Sequence, residues 1–361
     1  MSSRDPLIKI TGVWLPNKGA ELMAHAAVAE LSARLPKARF CSDDQGPADE
    51  RAAIGMPALP RGTLAQLGRA LGFGPKVSHV VDISGFAYGD FWGAAKARSR
   101  AGATIAKGVP TYLLPQAFGP FTDPALIATM KDITKGARSI AARDLVSQGH
   151  LQALGTAREI PLYPDITIGL NIANRKVAVP EGRFGCLVLN AQTVKTGSMT
   201  TEAVLALYAQ VVGVMRAAKV APVIVLHEPK ADLPLSESLS AACGGLPIVQ
   251  LQDARDIKAY ISRSTVVVTG RFHGLVNGLA TGVPSFAVSW SHKYGELLGD
   301  FGCPDFTCGS DVPSFIDRIA ALLGSETEQT RLRQQLTTHA AEKKARLAQL
   351  WDTVAADIQR T

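Results

Sequence analysis

Residues 266–293 decide the fold. They read Val266-Val-Val-Thr-Gly-Arg-Phe-His-Gly-Leu-Val-Asn-Gly-Leu-Ala-Thr-Gly-Val-Pro-Ser-Phe-Ala-Val-Ser-Trp-Ser-His-Lys293. The opening valines form a short β-branched run and predict a buried strand. A turn carrying Arg271 and His273 follows, then a helix of small residues expected to start near Gly274. Ser285 to Val288 reads as a second buried strand, and a loop carrying His292 and Lys293 comes after it. Adjacent parallel strands joined by a helix place the residues after each strand at the same end of the sheet. Ligands bind at that end in open α/β sheets. Two cations and two imidazoles there suit a small anionic ligand and proton transfer.

The same rhythm extends in both directions. Leu7 to Ile10, Val80 to Ile83, Pro110 to Leu114 and Ser139 to Ala142 read as strands. Ala20 to Leu35, Ala94 to Lys107 and Leu126 to Ala137 read as helices. Ser42 to Gly62, rich in Gly, Pro and Asp, reads as a loop. A polar stretch from Asn171 to Gly185 marks a boundary, after which the alternation restarts. The expectation is an α/β protein of two Rossmann-like domains with mostly parallel sheets and a cleft between them. The N-terminal domain spans 1–175 and the C-terminal domain 183–325. A helix over 326–361 can pack back on the first domain, end the second domain, or serve as an oligomer contact.

Composition narrows the function classes. A hydrophobic fraction of 47% and a charged fraction of 19% describe an ordinary globular chain that needs no covalent staples. Five scattered cysteines argue for a reducing compartment and against a disulfide framework. No ligand spacing for a zinc site, no phosphate loop of the Walker type and no strand–helix serine nucleophile is present, so no metal and no resident cofactor is expected. No apolar run is long enough to span a bilayer, and the cytoplasm is the expected location. The net charge of +7 suits an acidic substrate, or peripheral contact with the inner face of a membrane. Basic residues are dispersed without interleaved aromatics, which argues against nucleic acid.

Five pieces stand in an order that resembles the polysaccharide pyruvyl transferases. They are Asn17-Lys-Gly-Ala-Glu-Leu-Met, Pro115-Gln-Ala-Phe-Gly-Pro-Phe, Ala142-Arg-Asp-Leu-Val-Ser, Pro164-Asp165, and Thr269-Gly-Arg-Phe-His-Gly with Gly282-Val-Pro and Lys293 beyond. The resemblance runs from near residue 12 to about residue 302. It implies a fold similar to GT-B glycosyltransferases. It also implies transfer of the enolpyruvyl unit of phosphoenolpyruvate, a co-substrate, to two sugar hydroxyls as a cyclic ketal. The acceptor would be a saccharide or a lipid-linked saccharide. By the same resemblance His273 is the catalytic histidine, Arg271 and Lys293 match donor-binding positions, and Arg143 matches a further arginine.

These residue types suit that chemistry. A phosphate and a carboxylate call for guanidinium forks at Arg271 and Arg143 and a compact charge at Lys293. The free N–H groups of the helix at Gly274 add donors. An imidazole at His273 can protonate a methylene carbon and take a hydroxyl proton. Structural alternatives stand beside each assignment. Arg271 can pair with Asp253 or Asp256, Arg143 with Asp144 or Asp165, and His273 can pin a turn. Asn17, Glu21, Tyr88 and Gln116 are the acceptor-side candidates; Tyr88 and Trp92 can instead be core aromatics, and Gln116 can cap a turn. The run Ser84-Gly-Phe86 stands where the family has more glycines and leaves the acceptor open. Two other functions fit the architecture: a glycosyltransferase using a nucleotide sugar, and a non-catalytic saccharide-binding relative.

Overall fold

The fold was described from a computed structural model, covering residues 5–42, 46–59, 76–289 and 291–361. The chain forms two compact units. One takes in the residues up to Leu15, Ala20–Leu170 and Ala345–Thr361; the other takes in Pro16–Gly19 and Asn171–Lys344.

In the first unit, β1 (Leu7–Thr11), β2 (Arg39–Cys41), β3 (His79–Asp82), β4 (Phe86–Tyr88), β5 (Thr111–Phe118) and β6 (Ser139–Ala142) make one sheet. Its order is β2-β1-β3-β5-β4, with β6 also on β5, and every pairing is parallel. All eight residues of β5 are buried, as expected for a strand with neighbours on both edges and layers on both faces. The helix Pro124–Gly136 shows how sequence sets local structure: the Asp123 side chain accepts the Ala125 N–H at 2.9 Å, and Pro124 occupies a first-turn position that needs no donor.

The second unit holds β7 (Phe184–Val188), β8 (Ala221–Val225), β9 (Ile248–Val249), β10 (Val266–Thr269) and β11 (Ser285–Ala287), ordered β11-β10-β7-β8-β9 and again all parallel. The helices Thr201–Ala217, Pro229–Ala242, Ala254–Ile261 and Phe272–Ala280 connect them. From β7 the chain moves outward through β8 and β9, then returns to the other side of β7 as β10. The strand order therefore reverses between β7 and β10, which is where such sheets open a ligand crevice.

Several local expectations change. A helix, Ala48–Ile54, forms within the segment read as a loop, while 43–45 and 60–62 of that segment lie outside the described residues. The helix expected over Ala94 to Lys107 runs from Gly93 to Ala106 and carries a π turn at Arg98–Gly102. The helix expected near Gly274 begins at Phe272, and Lys293 opens the helix Lys293–Asp300 rather than sitting in a loop.

The C-terminal helix Glu326–Arg360 contributes to both units. In the first unit its Leu347, Leu350, Trp351 and Val354 are buried. Asp357 there accepts two bonds from Arg138, at 2.6 Å each, and one from the Tyr112 hydroxyl at 2.8 Å. Arg138 above all holds the Asp357 carboxyl down at about 2. Among the described residues no helix is long and apolar enough to cross a membrane, and none of the five cysteines is bonded to another.

Candidate functional site

Arg271 and His273 leave the carboxyl end of β10 at the order reversal of the second sheet. The turn is closed locally. Thr269 Oγ1 accepts the Arg271 N–H at 2.9 Å, and Asn190, just after β7, donates from Nδ2 to the Gly270 carbonyl at 2.7 Å. Tyr294 donates its hydroxyl to the same carbonyl at 2.7 Å. Three segments thus fix the backbone from which His273 projects.

Arg271 does not pair with Asp253 or Asp256; those carboxylates bind Arg175 instead. Its Nε and Nη2 reach Asp232 at 2.9 and 2.5 Å, and its Nη1 reaches Glu228 at 2.7 Å. Three of its N–H donors are thereby committed, and the two carboxylates outweigh its single positive charge. Burial lowers the guanidinium's proton affinity, but Asp232 and Glu228 raise it by more, so it stays charged. Asp232 also accepts the backbone N–H groups of Ala191 and Glu228 at 3.0 and 3.1 Å. The arginine expected to fork around a ligand is chiefly a buried tie holding the β8 and β10 loops together.

His273 occupies the second position of its helix, part-exposed, with the Phe272 ring edge-on to it at 5.5 Å. The Lys293 ammonium lies 5.4 Å from the same Phe272 ring, and Tyr294 packs against it at 5.6 Å. The structure therefore gathers His273 and Lys293 around one aromatic side chain. Gly274 lies in the first turn of the helix and is buried, and a side chain there would run into Thr269 Oγ1, 2.5 Å from the added carbon. Its smallness lets the helix pack on β10.

Four further residues join this cluster. Lys18 is buried, gives its backbone N–H to the His227 carbonyl at 3.0 Å, and its ammonium bonds the Gln252 carbonyl at 2.5 Å. Gly19 lies against the His273 ring so closely that an added methyl would overlap the imidazole. His227, two residues past β8, is fully buried. Burial first, then the charges of Arg271, His273 and Lys18, push its proton affinity well below that of an ordinary histidine, so it is neutral. Glu228 follows it. His227 and Glu228 carried a signal: they succeed an apolar strand at the ligand end of the sheet. Asn17, an acceptor candidate, accepts the Gly19 N–H on its Oδ1 at 2.9 Å.

The other candidates belong to the first unit. Arg143 follows β6 and is buried with Asp165, Nη1 to Oδ2 at 2.9 Å. Asp165 in turn caps the turn at Ile166–Gly169 through the Thr167 N–H and hydroxyl, at 2.9 and 2.6 Å. Asp165 is one of the two carboxylates offered as the structural partner of Arg143. Tyr88 is wholly buried, stacked on Phe118 at 5.7 Å, and cannot present a ring face to a sugar. Its hydroxyl donates to Asp82 at 3.0 Å. Asp82 also accepts from Thr11 Oγ1 at 3.1 Å, Gln116 Nε2 at 3.2 Å and the Ser84 N–H at 3.0 Å. Gln116 is buried in this hub at the ends of β1, β3 and β5. Burial and the neighbouring carboxylate keep the Tyr88 phenol protonated. Glu21 is buried and faces His25 one helical turn on, 3.7 Å away. The turn at Ser84 to Phe86 packs Ser84 on Gly12, and Phe86 enters β4.

Known proteins match at two levels. By structure, the chain is similar to a putative UDP-N-acetylglucosamine 2-epimerase from Listeria monocytogenes, with a TM-score of 0.68 and 11% identity over 99% of this chain and 98% of that one. It is similar to the UDP-GlcNAc 2-epimerase of Neisseria meningitidis bound to UDP-GlcNAc, with a TM-score of 0.59 and 9% identity over 95% and 100%. The glycosyltransferase SnogD from Streptomyces nogalater matches at 0.54 and 14% identity over 97% and 98%. At these identities the likeness establishes a GT-B-like fold and nothing finer. No curated protein sequence matches the chain. By sequence family, residues 17–292 match the model for polysaccharide pyruvyl transferase, a span that holds His273 and ends one residue before Lys293. The chain belongs to the polysaccharide pyruvyl transferase family.

Proposed function

We propose that the chain transfers the enolpyruvyl unit of phosphoenolpyruvate to two hydroxyls of a saccharide or lipid-linked saccharide, forming a cyclic ketal, with His273 as general acid and base. The observation that carries this reading is the gathering of His273 and Lys293 around Phe272 at the strand reversal of the second sheet. Family membership supports a saccharide acceptor.

In this reading the donor's anionic groups meet Lys293 and the N-terminal turn of the helix Phe272–Ala280. Arg271, tied to Asp232 and Glu228, positions that turn and has N–H groups left to add. Protonated His273 gives its proton to the methylene carbon, making a methyl group and leaving C2 cationic. A sugar hydroxyl bonds to C2, and its proton passes to the now neutral His273. Phosphate departs with the C2–O bonding pair. A second hydroxyl then closes the ring and loses its proton to the departing phosphate. The products are ketal and inorganic phosphate, and phosphoenolpyruvate is consumed as co-substrate; the scheme uses no metal. The proposed setting is the cytoplasm, at the inner face of the membrane where the acceptor is lipid-linked.

A second reading rests on the structural neighbour bound to UDP-GlcNAc: a nucleotide-sugar donor held at the same helix N-terminus. Calorimetric titration separates the two. Phosphoenolpyruvate should bind saturably to the wild type and lose at least tenfold in affinity on Lys293→Ala, while UDP-GlcNAc should give no saturable heat. Binding of UDP-GlcNAc with none of phosphoenolpyruvate reverses the assignment.

A further inference from the structure

The large hydrophobic side chains exposed among the described residues are Trp14, Phe91, Trp92 and Leu145, at 45%, 76%, 42% and 64% of their surface. All four belong to the first unit. Each also follows the carboxyl end of a strand by three or four residues: Trp14 after β1, Phe91 and Trp92 after β4, and Leu145 after β6. A scatter of surface apolar residues needs no explanation, but their confinement to one end of one sheet does. That end is where open parallel sheets bind ligands. The strand order of this sheet reverses between β1 and β3, so Trp14 also stands beside the reversal.

The rings after β4 are held, not loose. Phe91 and Trp92 meet edge to face at 4.9 Å. Asp90, immediately before them, anchors the turn: its backbone N–H bonds the Pro120 carbonyl at 3.0 Å, and its carboxylate accepts from the Thr122 N–H and hydroxyl and the Asp123 N–H. Trp92 and Gly93 close the turn onto the Gly89 carbonyl at 2.9 and 3.1 Å. Rings fixed before binding lose little conformational freedom when a ligand arrives.

We propose that Phe91 and Trp92 form a stacking platform for the saccharide acceptor, with Trp14 as a second ring across the same end of the sheet. The proposal rests on the transfer reading above and replaces the buried Tyr88 as its aromatic contact. β4 pairs with β5 on the same edge as β3, and Ser84, between β3 and β4, packs on Gly12, two residues before Trp14, so the loops that carry the rings are neighbours. The apolar faces of pyranose rings lie on aromatic faces while their hydroxyls stay in water, as expected of amphipathic contacts. A membrane surface fits less well. Asp90 and Asp123 are fixed beside Phe91, and the Asp90 carboxyl is held below the usual range by its bonds to Thr122, so ionised charge would face anionic lipid.

The test is saturation-transfer NMR with three neutral probes, lactose, cellotriose and chitotriose, on the full chain. At least one probe should give saturable transfer to its ring protons. The Phe91→Ala, Trp92→Ala double variant should weaken it at least tenfold, and Trp92→Phe should restore most of it. Both positions are exposed, so the melting temperature should hold. His273→Ala should leave the transfer unchanged. Oligosaccharide binding without any phosphoenolpyruvate-dependent transfer would therefore count against the reaction and not against the platform. The platform is overturned if none of the probes binds, if the double variant binds them like the wild type, or if what the variant loses is co-sedimentation with phosphatidylglycerol vesicles.

Discussion

The α-carbon of Gly19 lies against the imidazole of His273, leaving no room for a methyl group between them. A glycine at the start of a helix thus acts as a wall of the site, and the Lys18 N–H bond to the His227 carbonyl keeps that wall in place. Gly19→Ala should displace the His273 ring. A misplacement on the order of 1 Å at a reacting group costs ~10²-fold in rate. The expected outcome is a fall in kcat of that size with the affinity for phosphoenolpyruvate kept. Unchanged kcat in a folded Gly19→Ala protein would show that the ring has room to spare.

The Arg271–Asp232 pair is a second fixed point. Asp232 accepts two charge-assisted bonds from Arg271, worth about 1.5–3 kcal/mol each, and its removal leaves the guanidinium with Glu228, at an expected cost of about 3–5 kcal/mol. Asp232→Ala also orphans the Ala191 and Glu228 N–H groups. Urea unfolding of Asp232→Ala should show a loss in that range. A loss below about 1 kcal/mol, the scale of an exposed pair, would mean that the guanidinium readily finds other partners.

His227 gives a pH dependence with a definite sign. Its folded-state affinity for protons lies well below the ordinary value of 6.5, because it is buried among Arg271, His273 and Lys18. Below 6.5 the unfolded chain takes up a proton there and the folded chain does not, so stability falls as pH falls, by up to ~1.4 kcal/mol per pH unit. Between pH 7.5 and 5.5 the wild type should lose more stability than His227→Gln. Parallel stability curves for the two proteins would place a charged imidazole in the folded state.

Tyr88 provides a control on the first unit. Its hydroxyl donates to the buried Asp82 carboxylate, a bond to a charged group worth about 1.5–3 kcal/mol. Tyr88→Phe should lower stability by that order and leave saccharide binding and transfer unchanged. A selective loss of acceptor affinity would return Tyr88 to the binding surface.

Much of the scaffold could be read from the sequence because it depends on local pattern. The β-branched runs at Val80–Val81 and Val266–Val268 give strands wherever they fall, and residues that follow a parallel strand share one end of the sheet. That logic put His273 and Lys293 at one end of the sheet, and both lie beside the Phe272 ring. It could not assign partners. Arg271 finds Glu228 and Asp232 some forty residues away, while the nearer Asp253 and Asp256 go to Arg175. Nor does the pattern Phe86-Ala-Tyr88 reveal a strand, because three residues carry too little periodicity, and the burial of Tyr88 depends on that strand pairing with β5. Lys18 and Gly19 were equally hidden in their role: a helix start more than 250 residues before His273 gives no local sign that it will wall it in.

The central claim is that His273 moves the protons of enolpyruvyl transfer, and the most direct measurement is the rate of saccharide-dependent ketal formation from phosphoenolpyruvate by His273→Ala beside the wild type. Methyl β-galactoside is a suitable acceptor, since its 3,4 and 4,6 hydroxyl pairs can each close a ketal ring. Loss of a general acid–base group predicts a fall of about 10²–10⁴-fold, with the melting temperature and phosphoenolpyruvate affinity close to wild type. Ketal formation by His273→Ala at a rate near that of the wild type would contradict the account.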